Sequence, residues 1–160
     1  MSDAAGGGPE DTEIERKYLL RGLPRLDGVE PEEIDQGWIP GERLVERVRR
    51  VRSGREERWY RTVKLGKGVR RVEVEEETPA ALARALWRLT RGRRVRKLRY
   101  RVPDGGLVWE VDRFRGRRLV LAEVELPSED TPVVFPEWLR PYVVREVTGE
   151  PEYLNQNLAR

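Results

Sequence analysis

The chain contains no cysteine and no histidine. Without cysteine there can be no disulfide framework, no thiolate nucleophile and no zinc–thiolate site. Without histidine the commonest general base and the usual transition-metal ligand are both missing, so catalysis would rest on carboxylates, lysine, tyrosine or hard cations bound through oxygen. Long apolar runs are lacking too: nothing approaches the roughly 20 residues of a membrane-spanning helix. The opening MSDAAGGGPE has neither the basic nor the apolar region of a secretion signal. A cytoplasmic location is therefore expected, with residues 1–10 as a flexible lead and residues 11–160 as a single domain.

Charge of a single sign is also absent. Lysine and arginine total 32 against 29 acids, a net charge of +3, and the two signs alternate within the same short runs. A basic tail or helix would point to nucleic acid or an anionic membrane, whereas interleaving points to charges compensated by each other or by a metal. Charged residues make up 38% of the chain, well above the roughly 25% usual in soluble domains. So much charge requires a structural location.

What is present is alternation. Extended segments with a two-residue period cover residues 12–20, 33–39, 43–51, 58–65, 69–77, 93–102, 107–114 and 117–126. Turn chemistry separates them: PG at 40–41, SG at 53–54, GKG at 66–68, PDGG at 103–106 and RGR at 115–117. Such short connections predict an antiparallel meander of about eight strands. The stretch TPAALARALWRLTRG predicts one helix, with Thr78 as cap, Pro79 in the first turn, Gly92 as stop, and Leu82, Ala85, Leu86 and Leu89 as the core-facing stripe. PEWLRPY and EPEYLNQNLAR suggest two further helices.

The strand faces separate by chemistry. One carries Glu13, Glu15 and Lys17, then Arg43, Arg47 and Arg49, Arg58 and Lys64, Arg71, Glu73 and Glu75, Lys97, Arg99 and Arg101, Glu110 and Asp112, and Glu123 and Glu125. The other carries mainly Val, Leu and Ala, including Val48, Val63, Val95, Val111 and Val124. An ordinary polar sheet face would tolerate Ser, Thr, Asn and Gln, which this one largely omits. The expectation is an α+β fold in which an eight-stranded antiparallel barrel encloses the charged face as a lumen, with helices packed outside.

Carboxylates two residues apart, Glu13 with Glu15 and Glu123 with Glu125, share a face about 7 Å apart along their strands. Two such pairs suit a hard divalent cation such as Mg²⁺ or Mn²⁺, which takes oxygen ligands and also engages phosphate. Lys17, Arg47, Arg49, Lys64, Lys97 and Arg99 suit a chain of phosphates, because guanidinium forks make bidentate contacts and ammonium groups supply compact charge.

The segment EIERKYLL resembles the E-x-E-x-K signature of the CYTH superfamily, the triphosphate tunnel metalloenzymes. The likeness continues in order through RVR (47–49), TVK (62–64), RRVEVE (70–75), KLRY (97–100), WEVDRFRG (109–116), LAEVEL (121–126), PEWL (136–139) and EVTGEPEYLNQNLA (146–159). It implies a tunnel that binds a triphosphate-containing small molecule together with Mg²⁺ or Mn²⁺. On matching positions it implies Glu13, Glu15, Asp112, Glu123 and Glu125 as metal ligands. Lys17, Arg47, Arg49, Lys64, Arg71, Lys97 and Arg99 would contact phosphate, and Lys17, Lys97 and Glu110 are the catalytic candidates. Where short members read QGYL this chain reads QGWI, so Trp38 replaces a tyrosine hydroxyl.

Three functions remain open from the sequence. The first is metal-dependent hydrolysis of inorganic triphosphate. A class IV adenylyl cyclase or thiamine triphosphatase activity would use the same fold. The third is a non-enzymatic polyphosphate- or nucleic-acid-binding module, although nucleic acid is not the expected partner. No membrane partner is expected, and a homodimer is compatible with the sequence.

Overall fold

The structure, a computed structural model, describes residues 14–65 and 72–160. Nine strands form one sheet: β1 (Ile14–Leu20), β2 (Glu32–Ile39), β3 (Leu44–Ser53), β4 (Glu56–Leu65), β5 (Val72–Glu77), β6 (Arg94–Asp104), β7 (Leu107–Phe114), β8 (Val120–Leu126) and β9 (Val143–Glu146). Their order is β5-β4-β3-β2-β6-β7-β8-β1-β9, with antiparallel pairing throughout. All eight expected strands are present, and β9 is an addition, its four residues being too few for a period-two signal. The expected lead, Glu13, the GKG turn and Arg71 lie outside the described residues.

Among the described residues no hydrogen-bonded ladder joins β5 to β9, so pairing does not close the sheet into a barrel. Its curl is evident because side chains from every strand from β1 to β8 border one cavity. The tight hairpins agree with this twist. At the β6–β7 turn Gly105 and Gly106 both take positive φ, +54° and +81°, the mirror-image turn that matches the right-handed twist of the flanking strands.

Two apolar layers cover the outside. Tyr18, Trp109, Val111, Ala122 and Val124 from β1, β7 and β8 pack against Phe135, Trp138 and Leu139 of the crossing segment before β9. Tyr18 meets Phe135 edge-on at 4.9 Å. PEWLRPY yields only a 3₁₀ turn at Arg140–Tyr142. On β3 and β4, Val48 and Trp59 receive helix α1 (Ala80–Trp87), followed by a 3₁₀ turn at Arg88–Thr90.

The stripe of α1 is rotated from its expected position. Ala83 is its fully buried residue, while Leu82 and Leu89 are 47% and 60% exposed. The small Ala83 lets the helix approach closely enough for Trp87 to contact Trp59, ring to ring at 6.0 Å. Thr78 makes no capping bond; its hydroxyl turns to the Glu76 carbonyl instead.

The inward face is not uniformly ionic. At one end Trp38, Val95, Phe114 and Leu121 point inward and close on Val147 and Leu158 as an apolar plug, with Leu19, Val45, Leu119, Tyr153 and Ala159 around them. Val95, expected on the outer face, shares the parity of Lys97 and so must point in. The C-terminal segment is not one helix: a 3₁₀ turn at Pro151–Tyr153 precedes the four-residue helix α2 (Asn155–Leu158). This segment seals the tunnel end and does not pack outside the barrel as the expected architecture had it.

Gly37 of β2 adjoins Thr90, and a Cβ there would lie 2.5 Å from the Thr90 Cβ and Oγ1. Thr90 is held in place by donating to the Trp87 carbonyl and accepting from Arg94 Nε. Gly37→Ala should therefore destabilise the fold by about 1–3 kcal/mol, measured from the urea unfolding midpoint, because an overpacked site must shift backbone.

Candidate active site

The lumen is a cavity of about 430 Å³ whose walls carry Lys17, Arg47, Arg49, Lys64, Lys97, Arg99 and Arg101 against Glu15, Glu73, Glu75, Glu110, Glu123 and Glu125. Alternation in each strand brings these together, and registry decides who meets whom. On β1 and β8, Glu15 lies opposite Glu125 and Lys17 opposite Glu123. On β7 and β8, Glu110 lies opposite Glu123. An acidic wall therefore forms on β1, β7 and β8, and the arginines of β3 stand across the lumen from it.

At the tunnel base three charges are withdrawn from water: Lys97, Arg99 and Asp112 are 2%, 9% and 1% exposed. Asp112 receives Arg99 through two bonds of 2.8 and 2.9 Å and Lys97 Nζ at 2.8 Å. Burial works against the Asp112 charge, yet Lys97 and Arg99 hold its carboxyl well below the usual carboxylate range. Burial pushes Lys97 down to about 8 despite Asp112. Its ammonium also donates to Asn155 Oδ1 at 3.2 Å and lies over the Phe114 ring of the plug, 5.6 Å from its centroid. Asp112, expected as a metal ligand, thus has both oxygens engaged by cations.

On the basic wall Arg47 and Arg49 share Glu75, at 3.1 and 2.9 Å. Thr62 bridges the group, donating to Glu75 and accepting from Arg47. Although burial opposes its charge, Glu75 is held below the ordinary value by Arg49, Thr62 and Arg47. Arg49 is nevertheless depressed, first by burial and then by Arg47, against Glu75. The buried Nε groups of Arg47 and Arg49 have no acceptor among the described residues. Lys64 pairs loosely with Glu73 at 3.7 Å.

The acidic wall has the opposite imbalance. Glu15 is pushed up to about 9, by burial first, then by its hydrogen bond to Glu123 and by that carboxylate's charge. Glu123 is lowered despite burial, by Glu15 and then by Lys17, whose ammonium stands 3.2 Å away. Burial thus presses the two carboxyls together as neighbouring like charges, an arrangement that a cation would relieve. Among the described residues no three carboxylates are already gathered in ion-binding geometry. The remaining expected ligand, Glu13, lies outside them. Glu110 Oε2 is drawn to Arg99 at 2.7 Å and Arg101 at 3.5 Å.

Several lining residues escaped the sequence reading. Gln36 shares its strand parity with Trp38, and Thr62, which does not itself border the cavity but braces Arg47 and Glu75, shares its parity with Lys64, so alternation could have revealed both. Asn155, Gln156 and the Tyr153 carbonyl, which accepts from Lys17 Nζ at 3.0 Å, come from the terminal segment, where no periodicity marks them.

A curled antiparallel sheet thus sets cations and carboxylates facing each other across a lumen that the terminal segment caps at one end. No family model matches the chain. It is 36% identical over 152 residues to an inorganic triphosphatase of Acetivibrio thermocellus, covering 92% of this chain and 93% of that one. It is 38% identical over 157 residues to an inorganic triphosphatase of Nitrosomonas europaea, covering 92% and 97%. The crystal structure of an inorganic triphosphatase superposes with a TM-score of 0.68 at 31% identity, over 92% of this chain and 94% of that one. The chain belongs to the CYTH superfamily of triphosphate tunnel proteins, as a short single-domain member.

Asp112→Asn should leave Lys97 and Arg99 buried with a neutral partner and destabilise the fold by roughly 3–5 kcal/mol in denaturant titration, since removing one member of a buried ion group strands the others.

Proposed function

We propose that this chain hydrolyses a phosphoanhydride bond of inorganic triphosphate inside the tunnel, assisted by Mg²⁺ or Mn²⁺ at the acidic wall. The observation that carries this reading is the segregation of the lumen. Strand pairing gathers Glu15, Glu110, Glu123 and Glu125 on β1, β7 and β8, while Arg47 and Arg49 of β3 present buried guanidinium Nε groups that have no acceptor among the described residues. The names of the relatives, at 36% and 38% identity, support the same substrate.

The phosphate chain would lie along Arg47, Arg49 and Lys64, with Lys97 and Arg99 at its base. Asp112 orients those last two and does not bind the metal, a role consistent with its occupied oxygens. The donor set suits a hard cation by its chemistry, since Glu15, Glu123 and Glu125 offer oxygen alone, and an ion would have to draw these three together because they are not gathered in ion-binding geometry among the described residues. An ion held by Glu15, Glu123 and Glu125 would supply positive charge against the negative charge that develops on the phosphates. Glu110 orients a water for attack on a terminal phosphorus. The P–O–P bond breaks, the water oxygen joins phosphate, its proton passes to the carboxylate or to solvent, and pyrophosphate leaves. Lys17 and Lys97 neutralise the departing oxygens.

Phosphate release from tripolyphosphate, ATP and thiamine triphosphate with Mg²⁺ or Mn²⁺ tests this directly. Tripolyphosphate should be preferred, and cyclic AMP should not form from ATP. Equal turnover of all three substrates would defeat the proposal. Glu123→Gln should lower kcat/KM by roughly a hundredfold or more with the fold retained. A binding module working through its cations alone would be unaffected by that change.

The raised Glu15 carboxyl sets a pH dependence. Glu15 keeps its proton below about 9, so cation binding at neutral pH must expel it. Calorimetry in buffers of different ionisation enthalpy should show about one proton released per chain, falling to none above that value.

A further inference from the structure

On the reverse side of the plug lies a second cavity of about 430 Å³. Val95 and Phe114, which close the tunnel from within, also border this cavity, so one apolar layer separates the two. Five arginines surround it: Arg94 and Arg96 from β6, Arg115 and Arg117 from the β7–β8 turn, and Arg160 from the terminal segment. Arg160 is fixed there by two backbone hydrogen bonds to Arg94, each 3.0 Å.

Few carboxylates balance this charge. Arg94 donates to the Thr90 hydroxyl and the Trp87 carbonyl, and Arg117 to the Leu158 carbonyl at 2.6 Å; all three acceptors are neutral. Arg96 reaches Asp35 at 3.4 Å, but Asp35 also serves Arg50 and Arg52. Arg115 reaches Glu33 at 3.1 Å, and Glu33 is shared with Arg52. Arg94 is depressed by burial and then by Arg91 and Arg96, and Arg117 by burial and then by Arg160. Positive charge is therefore crowded here.

We infer that this cavity is a second anion site, separate from the tunnel, that takes a ligand carrying phosphate groups on its arginine forks. Guanidinium groups at a rim match phosphate oxygens pairwise, and a concave site focuses their field. Gly116, at φ +79°, leaves open space at the turn between Arg115 and Arg117.

Pyrophosphate is the probe, titrated with chelator present into isotopically labelled chain. The amides of Gly116 and Arg117 should shift along with those of the tunnel. Arg96→Ser with Arg115→Ser should weaken the Gly116 response about tenfold or more, because two charge-assisted contacts are lost. Tripolyphosphate turnover by the same variant should be unchanged. Shifts confined to the tunnel, or a Gly116 response as strong in the variant as in the parent, would overturn the site. ADP separates the ligand sources: a response equal to pyrophosphate supports recognition of the phosphates alone, and a stronger one supports an organic phosphate. A tunnel that fails to hydrolyse tripolyphosphate would leave this site standing, so the two proposals fail separately.

Discussion

Lys97, Asp112 and Arg99 form an ion group almost without access to water, and the tunnel is organised around it. Burying a charge costs several kcal/mol unless partners replace its hydration. Here each supplies the others' compensation: a two-bond fork from Arg99 and a 2.8 Å contact from Lys97 converge on one carboxylate. Because β6 and β7 set Arg99 opposite Asp112 in register, the group forms only when those strands pair as they do. A one-residue slip of β6 against β7 would put Asp112 on the opposite face from Lys97 and Arg99. The geometry of the phosphate-binding base and the integrity of the sheet are thus the same requirement.

From that base the lumen grades in two directions. Toward the plug, Phe114 sits beneath the Lys97 ammonium, and Val95, Trp38, Leu121 and Leu158 exclude water. Toward the open end, charges remain wet and their pairs looser, as Lys64 with Glu73 at 3.7 Å illustrates. Electrostatic interactions are strongest where the solvent is thinnest. Among the described residues the buried Nε groups of Arg47 and Arg49 lack an acceptor, and Glu15 is raised by burial and by Glu123, so neither wall's charge is fully balanced by its own partners.

Much of this was legible from residue order. Period-two alternation located eight strands and the inward parity of Glu15, Lys17, Arg47, Arg49, Lys64, Lys97, Arg99, Glu110 and Glu123, since a strand's side-chain period is set by backbone geometry alone. Alternation does not say where along a face charge gives way to an apolar plug. Hydrophobicity alone therefore points Val95 outward, although its parity matches that of Lys97. Helix α1 shows a related limit: its apolar residues extend around more than one face, and only the position of Trp59 selected the arc containing Ala83.

The sequence by itself determined an antiparallel, inward-charged barrel without thiol or imidazole chemistry, because alternation, turn residues and the absence of two residue types are local facts. Tertiary structure decided the rest: that Asp112 serves two cations, that Glu15 is buried beside Glu123, that Asn155 reaches Lys97 from 58 residues away, and that arginines collect behind the plug. Each depends on the register of paired strands or on where the terminal segment docks. Those are set by packing between residues distant in sequence, which no local pattern encodes.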